Sequence, residues 1–146
     1  MKSRAMWIAM VAVLFLLGAA QEDPVKDELK KLEGTYKMVR GEEGGQPLSE
    51  EIVKTAKLTI TGDKHVVQLG SETINGTHTV NPLEKPKSID ASDTTGRFAG
   101  KTTYGIYKLE GDEFSVSFAP PGEPRPNQFS TQNHFGRLLH LWKRVR

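Results

Sequence analysis

Two histidines, His65 and His78, are the residues of this chain whose type and spacing could support metal chemistry. A predicted turn at Gly70-Ser71 joins the strands that carry them and places His65 opposite Gly76. His78 is then a diagonal neighbour of His65 on the same face, with the Cα atoms about 7–8 Å apart. Structural zinc sites take four protein ligands and catalytic sites three, and no third histidine or carboxylate falls on this face of these two strands. We therefore expect no metal, and we assign both rings to filling the interior or to contacting a ligand.

The other reactive residue types do not form a recognisable centre. The acidic pairs fall at predicted strand ends, helix caps or turns, where solvated charge is ordinary, and a glycosidase needs two carboxyls roughly 5–10 Å apart in a cleft. No serine occupies a Gly-x-Ser-x-Gly elbow, and no glycine-rich phosphate loop is present. The chain has no cysteine, which excludes thiol catalysis and thiolate metal sites. We expect a protein without catalytic activity and without a cofactor.

The first twenty residues form a unit of their own. Lys2 and Arg4 precede an uncharged run over residues 5–20, which ends in three small residues. This pattern is typical of a secretory signal peptide, here cleaved after Ala20. An uncleaved membrane anchor is the alternative, but the run falls short of the roughly 18 apolar residues that a spanning helix requires. We therefore expect a secreted or periplasmic protein, with residues 21–146 as a single domain and no stable membrane insertion after cleavage.

The charge balance excludes one class of partner. The chain carries 20 Lys and Arg against 18 Asp and Glu, and Lys2 and Arg4 account for the excess, so the predicted mature chain is neutral. Nucleic-acid binding depends on a clustered cationic surface. We expect a monomer that does not bind nucleic acid.

The most clearly predicted element is a β-hairpin around the tetrad Glu110-Gly111-Asp112-Glu113. Alternating large apolar residues flank the tetrad, and glycine takes the positive φ that a two-residue hairpin turn demands. With Gly111-Asp112 in the turn, one face must be buried, and it carries Tyr107, Leu109, Phe114, Val116 and Phe118.

Alternation of the same kind predicts eight strands in total. They lie near residues 35–42, 57–61, 64–69, 72–80, 88–91, 102–109, 113–118 and 137–144. A short helix capped by Asp23 precedes them, and Ser49 caps a second helix after the first strand. Within the strand over 72–80, Asn75-Gly76 is interpreted as a bulge or kink at Gly76.

Short turns join nearly all successive strands, so we predict antiparallel, up-and-down pairing. Such a meander with one buried face avoids exposed edges by closing on itself. The predicted fold class is therefore all-β, an eight-stranded antiparallel up-and-down barrel with a short N-terminal helix. An open two-sheet sandwich is the alternative. Closure requires residues 35–42 to pair with residues 137–144, and it encloses an interior that side chains fill or one small ligand occupies.

Two resemblances agree with this fold. The run from Leu29 to Tyr36, LKKLEGTY, resembles the entry motif of lipocalin and fatty-acid-binding barrels, with Tyr36 where those proteins usually carry Trp. Most of the remaining chain is similar to a family of small secreted planctomycete proteins that is lipocalin-like and has no assigned function. The similar segments are LEGTYKMV, QPLSEE, LTITGDK, NGTHTVNPLEKPKSID, GIYKLEGDEFSVSFAPPGEPRP, QFSTQ and WKRV.

The resemblance implies an exported lipocalin-like barrel and leaves the activity open. It also implies that a C-terminal basic residue, here Arg144, stacks on the entry aromatic Tyr36. The chain departs from the family at Ser117, where members often carry Cys, and at His65 and His78, where members tend to carry an aromatic or aliphatic residue.

Two functions remain open. The first is binding of a small apolar or amphiphilic molecule inside the barrel, stabilised by burial of apolar surface at ~25 cal/mol/Å². The residues expected to line that site are Tyr36, Met38, His65, Val67, His78, Tyr107, Phe114, Val116 and Phe118. The second is a cell-envelope interaction module with a packed interior, in which the strand ends and the Pro-rich loop around Arg125 form the contact surface. An interior cavity of a few hundred Å³ would favour the first function.

Overall fold

A computed structural model of the protein describes residues 23–146, so the predicted signal peptide lies outside the described residues. Over residues 23–146 the elements follow one another as two helices and nine strands. They are α1 (Pro24–Leu32), β1 (Gly34–Glu43), β2 (Gln46–Pro47), α2 (Glu50–Thr55), β3 (Lys57–Thr61), β4 (Lys64–Leu69), β5 (Glu72–Asn81), β6 (Lys87–Asp93), β7 (Thr102–Glu110), β8 (Glu113–Phe118) and β9 (Leu138–Arg144). Neither helix in this part of the chain has the length and apolar character needed to cross a bilayer.

The sheet closes into a barrel because its first and last long strands pair. Strands β1 and β3 to β9 are neighbours in chain order, every pairing is antiparallel, and β9 pairs back with β1. That closing ladder runs from Tyr36 opposite Arg144 to Glu43 opposite Leu138. The two-residue strand β2 pairs with the end of β1 and takes no part in the closure. The predicted eight-stranded antiparallel barrel is confirmed, and the open sandwich is wrong.

The predicted hairpin has the expected register. Glu110 pairs with Glu113 and Leu109 pairs with Phe114, which places Gly111-Asp112 in the turn. Gly111 has a φ of 61°, in the region that glycine adopts without strain. The apolar face of the hairpin packs into the core of the barrel.

The predicted bulge at Gly76 is wrong. Strand β5 pairs without a break with both β4 and β6, and the register shift of this barrel lies in β1, between Met38 and Arg40. Glycine occupies position 76 for another reason. A Cβ atom there would lie 2.5 Å from the carbonyl oxygen of Ser92 and 2.6 Å from Oδ1 of Asp93, closer than real Cβ contacts come.

Helix α1 is anchored to the barrel by a buried carboxylate. Glu28 is only 4% exposed, and its Oε1 accepts hydrogen bonds from Lys87 Nζ at 2.7 Å and from Tyr107 Oη at 2.9 Å. Burial by itself would raise the pKa of Glu28, but these hydrogen bonds and the charges of Lys87 and Lys31 outweigh it and hold the pKa below its usual value. Leu32, fully buried in the core, completes the contact of α1 with the barrel.

Arg144 joins the end of β9 to the start of β1. Its guanidinium lies 5.3 Å from the centre of the Tyr36 ring, and Nη2 donates to Tyr36 Oη at 2.8 Å. Nη1 donates to Asp112 Oδ1 at 3.3 Å, and Tyr36 Oη in turn donates to the carbonyl oxygen of Leu32 at 2.7 Å. The stacking that the resemblance implied is therefore confirmed.

Replacing Glu28 with Ala should lower the free energy of unfolding by about 2–4 kcal/mol, because it leaves the buried Tyr107 hydroxyl without its acceptor and unpairs Lys87. The matched control is Lys26→Ala on the exposed face of the same helix, with an expected change within about 0.5 kcal/mol. Urea unfolding of both variants measures the difference. Equal midpoints for the two variants would show that Glu28 does not anchor α1.

Candidate functional site

A cavity of about 110 Å³ lies inside the barrel. Most of its wall is aliphatic or aromatic, with contributions from every barrel strand. The volume is below the few hundred Å³ that the sequence analysis set as favouring ligand binding, and below the roughly 300–1,000 Å³ of pockets for drug-sized ligands. Bulky side chains occupy much of the interior. The volume is close to the ~150 Å³ of an engineered apolar cavity that binds benzene. A ligand the size of one small ring fits.

Six of the nine residues expected to contact a ligand line this cavity. They are His65, Val67, His78, Phe114, Val116 and Phe118. The remaining three, Tyr36, Met38 and Tyr107, belong to the packed core beyond the cavity wall. The hydroxyls of Tyr36 and Tyr107 are already occupied near α1, by the Leu32 carbonyl and by Glu28.

Several polar residues at the cavity were missed by the sequence analysis. They are Glu43, Asp93, Arg97, Thr103 and His140. For His140 a signal was present, since alternation along β9 places it on the same face as the buried Trp142. A signal was also present for Thr103, since alternation along β7 places it on the same face as Tyr107 and Leu109. Glu43, Asp93 and Arg97 lie at strand ends or in the long polar loop 94–101, where alternation is not informative.

His65 contacts both His78 and a third residue, Asp93. His65 Nε2 lies 2.8 Å from Asp93 Oδ1, and His65 Nδ1 lies 3.0 Å from His78 Nδ1. His78 Nε2 lies 3.1 Å from the carbonyl oxygen of Gly62. Asp93 lies on β6, the strand that pairs with the other side of β5. Gly76, between His65 and Asp93 in the pairing, provides the space for it.

The hydrogen-bond partners of His65 and His78 determine which ring nitrogens carry a hydrogen. His78 Nε2 must donate to the Gly62 carbonyl, so His78 Nδ1 accepts and His65 Nδ1 donates to it. His65 Nε2 faces the Asp93 carboxylate and donates to it. Burial, and then the charge of His65, lower the pKa of His78 to about 4, which agrees with a neutral ring.

The same geometry leaves no place for a metal ion between the two rings. The ring centroids are 5.3 Å apart while the two Nδ1 atoms are 3.0 Å apart. The nitrogens therefore point at each other, edge to edge. A zinc ion between two facing nitrogens would need them about 4 Å apart. Within residues 23–146, no group of three or more histidine or carboxylate side chains is arranged to hold a metal.

His140 differs from the other two histidines of the cavity. It is 7% exposed, and its Nε2 is buried without a hydrogen-bond partner. The ring packs edge-on against Trp142, with centroids 5.8 Å apart and an interplanar angle of 83°. Burial lowers the pKa of His140 to about 4, with Glu43 acting in the opposite direction and Arg97 in the same one. The imidazole is therefore neutral near pH 7.

Arg97 marks the place where the cavity meets solvent, since it lines the cavity and its side chain is 42% exposed. Its guanidinium binds both carboxylate oxygens of Glu43, at 3.1 and 3.2 Å, and lies 3.8 Å from Glu72. These contacts tie the loop between β6 and β7 to β1 and β5. Phe98, the next residue of that loop, also lines the cavity.

The Pro-rich loop packs on the outside of the barrel. Arg125 donates to the carbonyl oxygens of Ile89 and Gly105, at 3.1 and 2.9 Å, and its Nη2 lies 2.7 Å from Asp90 Oδ1. Pro126 is buried. The guanidinium of Arg125 is thus committed to the barrel wall.

Comparisons of this chain with protein-family models, with curated proteins and with solved structures find no match. The geometry of the cavity and of its polar residues therefore carries the functional argument.

Replacing Gly76 with Ala should lower the free energy of unfolding by about 1–3 kcal/mol, as over-packing does in a tight interior. The new methyl group would push against the Ser92 carbonyl and would separate His65 from Asp93. Thr77→Ala, on the exposed face of the same strand, is the control and should change stability by less than about 0.5 kcal/mol. The urea midpoints of the two variants measure the difference. A Gly76→Ala variant as stable as the control would contradict the close approach of β6 to position 76.

Acidification should destabilise the fold between about pH 6.5 and pH 4. His78 and His140 have pKa values of about 4 in the fold and near 6.5 in the unfolded chain. In this window the unfolded state binds more protons, so the free energy of unfolding falls as the pH falls, by up to about 3 kcal/mol per histidine. His140→Gln should show a shallower slope, whereas the exposed-site control His134→Gln should keep the original one. Urea unfolding across this pH range measures both, and identical slopes would refute the assignment for His140.

Proposed function

We propose that this protein binds a small, largely apolar molecule inside its barrel and does not catalyse a reaction. The observation that carries the proposal is the apolar cavity of about 110 Å³ enclosed by the closed sheet. We further propose that the chain belongs to the lipocalin-like secreted family it resembles and that residues 1–20 direct its export. In that setting the barrel takes up its ligand outside the cytoplasm.

The size of the cavity limits the ligand. A long-chain amphiphile exceeds this volume, whereas a single six-membered ring is comparable to it. Aliphatic and aromatic side chains line most of the wall, so binding would be driven by removal of apolar ligand surface from water. The ligand class is therefore narrower than lipid and includes single-ring aromatic or alicyclic compounds.

The hydrogen bonding of His65 and His78 gives no support to a catalytic role for these two rings. Both ring nitrogens of His65 and both of His78 are engaged within the protein or with each other. Neither ring offers a free nitrogen to act as a general base on a bound molecule, since a base must lie within hydrogen-bond reach of the proton it removes.

The alternative of a cell-envelope interaction module receives less support. It assigned the contact surface to the strand ends and to the Pro-rich loop, and Arg125 and Pro126 of that loop are used to pack it on the barrel. It also required a packed interior, which the cavity contradicts in part.

Benzene at millimolar concentration should raise the midpoint of thermal unfolding of the purified protein, because a ligand that binds only the folded state stabilises it by mass action. Val67→Phe, which extends a cavity-lining side chain into the space, should abolish the shift. Val66→Phe is the matched control, because Val66 is 38% exposed on the outer face of the same strand. Calorimetric titration of the same three proteins gives the affinities.

Absence of any shift or heat with the parent protein would refute the ligand-binding proposal and would leave the interaction module. Equal binding by Val67→Phe and the parent protein would place the benzene elsewhere than in the cavity. Native mass spectrometry of protein purified from its own source would then identify a co-purifying ligand.

A further inference from the structure

Three lysines on neighbouring strands form a row on the outer face of the barrel. Lys37 of β1 is directly opposite Lys57 of β3 on one side and directly opposite Lys143 of β9 on the other. All three side chains are exposed. Because neighbouring strands lie about 4.7–4.9 Å apart, the row is roughly 10 Å long. Like charges directly opposite each other destabilise a sheet, so the stability of the barrel does not explain this row.

The charges of the row are not neutralised within residues 23–146. The ion pairs of this part of the chain involve other lysines and arginines. Glu113 is opposite Lys143 in the register but forms no ion pair with it. Arg40 is exposed and adds a fourth cation, since it pairs with Leu141 on the same outer face of β9. We call these four residues the basic face: Lys37, Arg40, Lys57 and Lys143.

Exposed valines lie beside the basic face. The next row of the outer face, two residues further along each strand, runs from Val66 through two threonines to Val145. Val39 follows Lys37 by two residues on the other side of the lysine row. Single exposed apolar residues are ordinary on a protein surface. Here, however, three of the seven large apolar residues exposed in residues 23–146 adjoin the same cations.

We propose that the basic face docks on the surface of a bilayer that contains anionic lipids. The four cations would approach the lipid phosphates, which attract lysine and arginine side chains at such a surface. The valines would enter the interfacial layer, where apolar side chains leave water. A soluble polyanion would satisfy the cations but would offer the valines no apolar partner.

The neutral charge balance of the predicted mature chain does not oppose this docking. Exposed charges further apart than the Debye length, about 8 Å at physiological ionic strength, are largely screened from one another. A membrane therefore interacts mainly with the charges of the face that it contacts. The inference is also independent of the proposed ligand-binding function, because no residue of the basic face lines the cavity.

Co-sedimentation of the purified protein with lipid vesicles tests the proposal. The parent protein should bind phosphatidylglycerol vesicles much more tightly than phosphatidylcholine vesicles, and added salt should weaken the binding. Replacing all three lysines of the row with Gln should lower the affinity for phosphatidylglycerol about a hundredfold, since each lysine contributes about fivefold. The matched control should lower it less than about fivefold, because it removes three exposed lysines elsewhere. Its substitutions are Lys26→Gln, Lys85→Gln and Lys101→Gln.

Urea unfolding shows whether the triple variant of the row remains folded. Its midpoint should equal or exceed that of the parent protein, because the variant removes like charges that face each other. A loss of vesicle binding then reflects the lost charges. Equal vesicle affinities of the two triple variants would overturn the proposal.

The variant Val39→Ser separates a bilayer from a soluble polyanion as the partner. It should weaken binding to phosphatidylglycerol vesicles about threefold, because less apolar surface leaves water. Binding to heparin, a soluble polyanion, should not change. A parent protein that binds heparin but not the vesicles would assign the basic face to a soluble polyanion and overturn the membrane proposal.

A further measurement requires no variant. A nitroxide-labelled lipid in phosphatidylglycerol bicelles should broaden the amide resonances of β1, β3 and β9 more than those of β6 and β7, on the opposite side of the barrel. If the triple variant does not fold, this measurement decides. Broadening centred on β6 and β7, or equal binding of phosphatidylcholine and phosphatidylglycerol by the parent protein, would show that the basic face is not the docking surface.

Discussion

The backbone ladder between β1 and β9 is the interaction on which the rest of this structure depends. It removes the two free edges that an eight-stranded sheet would otherwise expose, and it gives each barrel strand a hydrogen-bonded neighbour on both sides. The chain has no cysteine to cross-link it. Closure therefore rests on the ladder, and Arg144 reinforces it at the end where Tyr36 begins the first strand.

Closure creates an interior, and the side chains divide it into two parts. Beneath α1 the interior is filled by the core, which includes the large side chains of Tyr36, Tyr107 and Trp142. No more than 1% of each of these residues is exposed. Elsewhere the inward positions include smaller residues such as Gly76 and Ala91. The hollow part is consequently small, and its size, more than its polarity, determines the class of molecule that could enter it.

The buried polar groups in these two parts of the interior differ in whether they have hydrogen-bond partners. Near α1, Glu28 is neutralised by Lys87 and receives a hydrogen bond from Tyr107, so its burial is compensated. Along the cavity wall, His65 is compensated by Asp93 and by His78. The Nε2 atom of His140 departs from this pattern, because it is buried without a hydrogen-bond partner.

By itself, the sequence determined the strands, the turns and the closure of the barrel, because alternation and turn-forming glycines act over a few neighbouring residues. The register of the hairpin between Leu109 and Phe114, the caps at Asp23 and Ser49, and the two-residue turns follow from that local chemistry. The inward position of His140 also followed from alternation, although its missing partner did not. Most of the cavity wall was predictable in the same way.

Only the tertiary structure decided how large the cavity is and which polar groups meet in it. The contact between His65 and Asp93 joins residues 28 positions apart, and that between Arg97 and Glu43 joins residues 54 positions apart. Such contacts depend on the stagger between strands and on the path of a long loop, to which a period-two pattern is insensitive. Gly76 illustrates the difference, because a glycine in a strand signals either a bulge or a close approach, and only the neighbouring atoms distinguish the two.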